Sequence, residues 1–183
     1  MAQIIPNVPD SLYFEIDKLW DGRLCANEAL HAEVWITKRE AGLEVRVHAP
    51  QLSNQRIPDA PHDTRVDGLW DYDVVELFFV GDDGTYTEVE LGPGGNYLVL
   101  QFDGIRHRSN DWEGREFDHR NSTSTPGTWQ SIIQLPWDTL PRHIVRANAF
   151  LVMDGKYLAW NPIPGDKPDF HQPDTFPDVS IAE

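Results

Sequence analysis

The stretch from Leu69 to Val80, LWDYDVVELFFV, directs the fold prediction because it combines strand periodicity with one acidic residue among apolar ones. Successive side chains of a strand point to opposite faces of its sheet. The alternation gives two sets: Trp70, Tyr72, Val74, Glu76 and Phe78 on one face, and Val75, Leu77 and Phe79 on the other. Because Glu76 stands among apolar neighbours, its side chain is predicted to be at least partly buried.

Eight further segments alternate in the same way, with turn residues between them: 11–20, 30–38, 42–50, 85–92, 96–102, 128–136, 145–153 and 156–160. The turns GDDG at 81–84 and GPGG at 92–95 are typical of hairpin loops. The only predicted helical turn is LPWDTLP at 135–141. Many short strands with almost no helical periodicity predict an all-β fold, an antiparallel β-sandwich of the jelly-roll kind.

The composition limits the number of domains and the classes of partner. A length of 183 residues predicts one domain over 1–183. A formal charge of -15 repels phosphate backbones and anionic membrane surfaces, so we expect no nucleic-acid and no membrane partner. A neutral sugar or a cation is compatible with this charge. A lone cysteine, Cys25, and an N-terminal stretch without a signal-peptide pattern predict a cytoplasmic protein, whose oligomeric state stays open.

The pair Trp70 and Glu76 has two interpretations. In the first, the indole stacks on the C–H face of a sugar ring while the carboxylate accepts hydrogen bonds from hydroxyl groups. In the second, the tryptophan belongs to the core and the glutamate is paired with an arginine. An unpaired buried carboxylate is unfavourable, so some group must satisfy Glu76 in either case.

A catalytic alternative rests on the segment TYTEVELG, which places Tyr86, Glu88 and Glu90 on one face of a strand. If this strand pairs with 73–80, its glutamates lie near Glu76. Neighbouring carboxyls raise the pKa of one of them, which suits acid/base chemistry in a glycosidase, isomerase or lyase. His171 is another candidate partner for Glu76. A solvated acidic face is the non-catalytic alternative.

Two further groups are candidates for the walls of a site. Arg106 and Arg108, in GIRHRS, could neutralise Glu76 or bind a ligand bidentately, with surface solubility as the alternative. The proline-rich segment 159–176 carries Phe170 and His171 and suits a binding wall. It equally suits a lid over the sandwich, with Phe170 and Phe176 as apolar plugs.

Two long polar segments, 51–68 and 109–127, are predicted to be loops. The second supports a third hypothesis, a protein-interaction domain, if it carries a large exposed apolar patch. The seven histidines show no metal-ligand spacing, so we expect no transition-metal site and no cofactor. The acidity leaves a structural calcium ion as an alternative, although no D-x-D-x-D-G loop is present.

Four motifs in order, LWDYDVVELFFV, YTEVELGPGGNYLVL, LPWDTLP and KPDFHQPDTF, resemble an uncharacterised protein family of the chromosome-four open-reading-frame type. That family is similar to family 9 carbohydrate-binding modules and their DOMON-like relatives, which implies an antiparallel β-sandwich. The resemblance implies that Trp70 is a sugar-stacking residue and Glu76 a hydroxyl acceptor, with Arg106 or Arg108 as a further contact. It also suggests Trp160 and Asn161 as the second tryptophan and asparagine of the modules.

These observations favour a non-catalytic β-sandwich that binds a carbohydrate or a similar polyhydroxylated molecule. Its predicted ligand-binding residues are Trp70, Glu76, Arg106, Arg108, Trp160, Asn161, Phe170 and His171. The alternative is a small-molecule enzyme that uses Glu76 with Glu88, Glu90 or His171.

Overall fold

The computed structural model describes residues 2–183 of the chain, and within them strands dominate. The strands are β1 (Gln3–Ile5), β2 (Leu12–Ile16), β3 (Lys18–Leu19), β4 (Ala32–Arg39), β5 (Gly42–Pro50), β6 (Val74–Gly81), β7 (Tyr86–Leu91), β8 (Tyr97–Phe102), β9 (Arg108–Asn110), β10 (His119–Ser122), β11 (Thr128–Pro136), β12 (Ile144–Met153), β13 (Lys156–Ala159) and β14 (Val179–Ile181). Short 3-10 helices cover Glu28–Leu30, Leu69–Asp71, Trp137–Thr139 and Pro173–Thr175. No helix in this described range has the length and hydrophobicity needed to cross a membrane.

The strands form two antiparallel sheets that pack face to face. One sheet has the order β10-β11-β5-β4-β2 and the other the order β3-β13-β12-β6-β7-β8-β9, while β1 and β14 form a separate parallel pair. Between the sheets lies a buried core that includes Val45, Leu77, Val89 and Trp129. The predicted antiparallel β-sandwich is therefore confirmed.

Each predicted strand segment contains at least one strand, and the GDDG and GPGG turns join β6 to β7 and β7 to β8 as hairpins. Four short strands were not predicted: β1, β9, β10 and β14. The prediction of an uninterrupted loop at 109–127 is wrong, because β10 lies inside it and pairs with β11 at the sheet edge. The sequence of β10, HRNS, has no apolar alternation, so β10 can be recognised only from its pairing with β11.

The seven-stranded sheet carries a second apolar layer on its outer face. Phe78 and Phe150 belong to this layer, and they are covered by Phe170 and Phe176 from the C-terminal segment. The rings of Phe150 and Phe170 stack with centroids 3.9 Å apart. Residues 163–176 therefore form a cover anchored by aromatic packing, and this cover leaves part of the sheet face open.

Candidate ligand-binding site

A cavity of about 360 Å³ lies on the outer face of the seven-stranded sheet, next to the C-terminal cover. Six of the predicted ligand-binding residues line it: Trp70, Glu76, Arg106, Arg108, Phe170 and His171. The remaining lining residues are Glu88, Leu100, Phe102, Val152, Tyr157 and Pro168. The cavity therefore combines an acidic floor with walls that are largely aromatic.

Trp70 reaches the cavity from a 3-10 helix and not from the strand. The helix Leu69–Asp71 follows Gly68, which has a φ of 81° in the left-handed region that favours glycine. Strand β6 begins only at Val74, so the prediction that period-two alternation carries Trp70 onto the face of Glu76 is wrong. The indole is 40% exposed, and the Arg108 guanidinium lies 5.5 Å from its ring centroid. Such a half-exposed ring is available for stacking.

Glu76 and Glu88 form the acidic floor of the cavity, and Glu90 is buried beside them on the same sheet. Glu76 on β6 is paired with Glu90 on β7, and Glu88 lies diagonally across from Glu76. Their exposed fractions are 5% for Glu76, 3% for Glu88 and 0% for Glu90. Both carboxyl oxygens of Glu90 are buried without a hydrogen-bond partner. The three side chains thus form a row of buried acids.

Burial is the main cause of the raised pKa values of these three glutamates. It raises the pKa of Glu76 to about 8, against partial opposition from a hydrogen bond with Glu88 and from the charge of Arg106. Burial, and then the charge of Glu76, hold the pKa of Glu88 well above its usual range. Burial also raises the pKa of Glu90, with its two acidic neighbours adding to the effect. Glu76 and Glu88 are therefore neighbouring carboxyls that together retain a proton near neutral pH.

His171 faces this floor in a defined tautomer. The hydroxyl of Tyr86 accepts a hydrogen bond from the Arg106 backbone N–H at 3.0 Å and lies 2.8 Å from Nδ1 of His171. Since the hydroxyl proton needs an acceptor, Nδ1 accepts it and the ring proton resides on Nε2. That Nε2 lies 3.8 Å from Oε2 of Glu88. Burial lowers the pKa of His171 to about 4, so the ring is neutral at pH 7.

The two arginines are already paired with acids at the rim of the cavity. Arg106 donates a hydrogen bond to Asp169 at 2.7 Å, and Arg108 donates one to Asp67 at 3.1 Å. The Arg106 backbone is left-handed, with a φ of 57°, which is costly for a residue with a Cβ. Its N–H bond to Tyr86 helps to hold that conformation. Neither arginine forms an ion pair with Glu76, Glu88 or Glu90.

Among residues 2–183, no group of three or more His, Cys, Asp and Glu side chains is arranged to hold a metal ion. Glu76, Glu88 and Glu90 therefore do not form such a group. The expectations about cofactors, among them structural calcium, stay predictions.

Relatives of known name cover almost the whole chain. A mouse protein, UPF0462 protein C4orf33 homolog, is 32% identical over 92% of this chain and 91% of its own length. The chain belongs to the UPF0462 family. Human UPF0462 protein C4orf33 is 32% identical over 86% of this chain and 82% of its own length. No profile of a known protein family matches the sequence. The resemblance to the chromosome-four open-reading-frame family is thereby confirmed.

A solved structure shows the same fold as this UPF0462 chain. It belongs to a candidate carbohydrate-binding protein from Bacteroides uniformis and superposes with a TM-score of 0.72. The match covers 99% of this chain and 97% of that chain at 15% sequence identity. At this identity the likeness establishes the fold alone.

Two predicted site residues of the UPF0462 chain lie outside the cavity. Trp160 belongs to the core between the sheets, where its ring stacks on Phe14 with centroids 3.9 Å apart. Asn161 is held by Asn148, which accepts its N–H at 3.1 Å and donates to its carbonyl at 2.9 Å. Of the two aromatic residues considered for the second wall, Trp160 and Phe170, only Phe170 lines the cavity, together with Tyr157, so the expectation for Trp160 is corrected.

Some cavity residues of the UPF0462 chain were not predicted as ligand contacts. Tyr157 precedes Leu158 on β13, and its exposed position in a short strand gave no signal. Tyr86, which orients His171, shares its strand face with Glu88 and Glu90. Because the β6–β7 hairpin brings this face next to Glu76, the alternation of β7 could have predicted Glu88 as a cavity residue.

Proposed function

We propose that this chain binds a carbohydrate or a similar polyhydroxylated small molecule in the cavity of the seven-stranded sheet, without changing it chemically. The observation that carries the proposal is the meeting of a half-exposed Trp70 with the buried carboxyls of Glu76 and Glu88 in one cavity. Sugar rings have apolar C–H faces and hydroxyl edges, and this cavity offers a surface suited to each.

The size of the cavity supports a small ligand. Its volume of about 360 Å³ is at the lower end of the range of ligand cavities, which suits one sugar ring and not a long chain. Trp70, Tyr157 and Phe170 supply apolar contact, while the Nε2–H of His171 can donate to a hydroxyl. The fold of the Bacteroides uniformis protein, itself a candidate carbohydrate-binding protein, agrees with this proposal.

The geometry disfavours the glycosidase alternative for Glu76 and Glu88. The two residues lie on adjacent strands of the same sheet, Glu88 diagonally from Glu76, and among the described side chains no other acidic one lines the cavity. Glycosidases that use a carboxyl pair keep the two groups about 5 to 9 Å apart, with the sugar between them. Two carboxyls that stand side by side on one floor do not enclose a glycosidic bond in this way, so binding is the function that the floor supports best.

Replacement of Trp70 by alanine tests the proposal. We expect Trp70→Ala to weaken binding of the recognised sugar about thirtyfold, because the lost stacking surface corresponds to about 2 kcal/mol. The unfolding temperature should change little, since the ring is 40% exposed. A thermal-shift screen of glucose, galactose, mannose, xylose and fucose identifies the recognised sugar, and calorimetric titration then gives its dissociation constant.

Trp137→Ala is the matched control, because Trp137 is also partly exposed on a 3-10 helix but lies outside the cavity. It should leave the dissociation constant unchanged. Equal weakening by both variants, or a Trp70→Ala protein that loses stability in proportion to binding, would contradict the proposal. So would the absence of binding to every sugar of the panel.

A further inference from the structure

Within the part of the chain that the structure describes, the floor glutamates have no cationic side chain paired with them. Arg106 and Arg108 line the cavity, but their hydrogen bonds go to Asp169 and Asp67. His171 approaches Glu88 only to 3.8 Å and is the neutral neighbour already described. Buried carboxylates are normally paired with a cation or bound to a metal, and otherwise they stay protonated. The floor is therefore protonated near neutral pH, and it can ionise when a cation enters the cavity.

The cavity defines where a cation could contact the floor glutamates. Glu76 and Glu88 both line the cavity and are more than nine-tenths buried, so a cation that contacts them must enter the cavity. The neighbouring walls suit a cation as well, because aromatic faces attract positive charge. Trp70 already does so for the guanidinium of Arg108. A carboxyl floor under aromatic walls is the arrangement that recognises an ammonium group.

We propose that the ligand is an amine-bearing polyhydroxylated molecule, an amino sugar by chemical class, whose ammonium group contacts the carboxyls of Glu76 and Glu88. This inference rests on the proposed function for the choice of cavity and adds the charge of the ligand. A neutral sugar leaves the carboxyl pair protonated, whereas an ammonium group makes a direct, charge-assisted contact with the buried carboxylates of the ionised pair.

Binding of an ammonium group has a proton balance that can be measured. In the free protein the Glu76–Glu88 pair retains a proton. When the cation arrives, the pair ionises and one proton leaves to the buffer. The groups that face the pair are Glu90 on the same sheet, Tyr86 and His171 beneath the cover, and the rim pairs Arg106–Asp169 and Arg108–Asp67. None of these rim pairs needs to change charge in this process.

The test compares matched probes: glucose, galactose and mannose with their 2-amino forms and the N-acetylated amino forms. Calorimetric titration at pH 6.5 in phosphate and in ACES, two buffers whose ionisation heats differ, gives the affinity and the number of protons exchanged. We expect one amino sugar to bind at least tenfold more tightly than its neutral parent and to release close to one proton. Its N-acetylated form, which has no positive charge, should lose the whole advantage.

Two variants locate the effect. Glu76→Gln should reduce the advantage of the amino sugar to less than threefold, because the neutral amide forms no ion pair. Glu33→Gln, a strand glutamate of the five-stranded sheet, should keep it. Retention of the full advantage in Glu76→Gln would overturn the inference.

The outcomes separate this inference from the proposed function. Equal affinity for a sugar and its amino form, or proton uptake on binding, overturns the proposed ammonium contact. Either result leaves the proposed sugar binding in place. Binding of cyclohexylamine without binding of any sugar supports the ammonium site and overturns the proposed function. Absence of binding for every probe overturns both.

Discussion

We expect the protein to become less stable as the pH rises from 6.5 to 7.5, in contrast to proteins whose carboxylates are stabilised by ion pairs. The free energy of unfolding should fall by on the order of 1 kcal/mol over this interval, since one fully shifted group contributes about 1.4 kcal/mol per pH unit. For a chain of this length the unfolding temperature should decrease by roughly 3 to 5 °C for each such group.

The sign follows from the raised pKa values of the glutamate row. Glu76 has a pKa of about 8 in the folded protein, against 4.5 as its ordinary value. Between these values the folded state keeps a proton that the unfolded chain has lost, so increasing pH favours unfolding. Glu88 and Glu90, raised for the same reason, act in the same direction.

The histidines oppose this effect only weakly above pH 6.5. The pKa values of His119 and His171 are lowered by burial, so their contribution to stability increases with pH mainly below the ordinary histidine pKa of 6.5 and levels off within about one pH unit above it. Thermal or urea unfolding at pH 6.5, 7.0 and 7.5 measures the slope. A stability that is constant or increases over this interval would show that the glutamate row is ionised in the fold.

Glu90→Gln provides the matched variant for this prediction. Glu90 has no exposed surface and no hydrogen-bond partner, and glutamine keeps its shape without ionising. We expect the variant to be more stable than the parent at pH 7.5 and to show a smaller slope with pH. Glu33→Gln, on the other sheet, should reproduce the slope of the parent.

Trp160→Ala is expected to have the opposite profile to Trp70→Ala. Its ring is buried between the sheets against Phe14, so truncation should reduce the free energy of unfolding by about 3 to 5 kcal/mol. The unfolding temperature should fall by on the order of 10 °C. Where the variant remains folded, its affinity for the sugar recognised by the parent should stay within about threefold.

The contrast between the two tryptophans discriminates core from cavity. Trp160→Phe retains most of the stacking on Phe14 and keeps the experiment interpretable if the alanine variant fails to fold. Urea unfolding gives the stability, and calorimetric titration at 15 °C gives the affinity. A folded Trp160 variant that loses binding as strongly as Trp70→Ala would contradict the placement of Trp160 in the core.

Much of the site was predictable, but not the way in which its parts are connected. Glu76 was predicted to be buried, and the resemblance of the motifs pointed to Trp70 and the arginines. An arginine partner for Glu76 was one of the alternatives, but Arg106 and Arg108 pair with Asp169 and Asp67, and the neighbour of Glu76 in the cavity is Glu88 from the next strand. That arrangement depends on the register of β6 with β7, which places Glu88 diagonally to Glu76.

The sequence by itself determined the longer strands and which side chains within them share a face, because alternation is a local property of an extended chain. It also determined that one face of β6 carries an acid among apolar residues. Only the tertiary structure decided which sheet each strand joins and what covers the outer face. It placed Trp160 in the core and Phe170 at the cavity, although both lie in the same proline-rich segment. The reason is that periodicity fixes the direction of a side chain relative to its neighbours in sequence, whereas burial depends on elements that are distant in sequence.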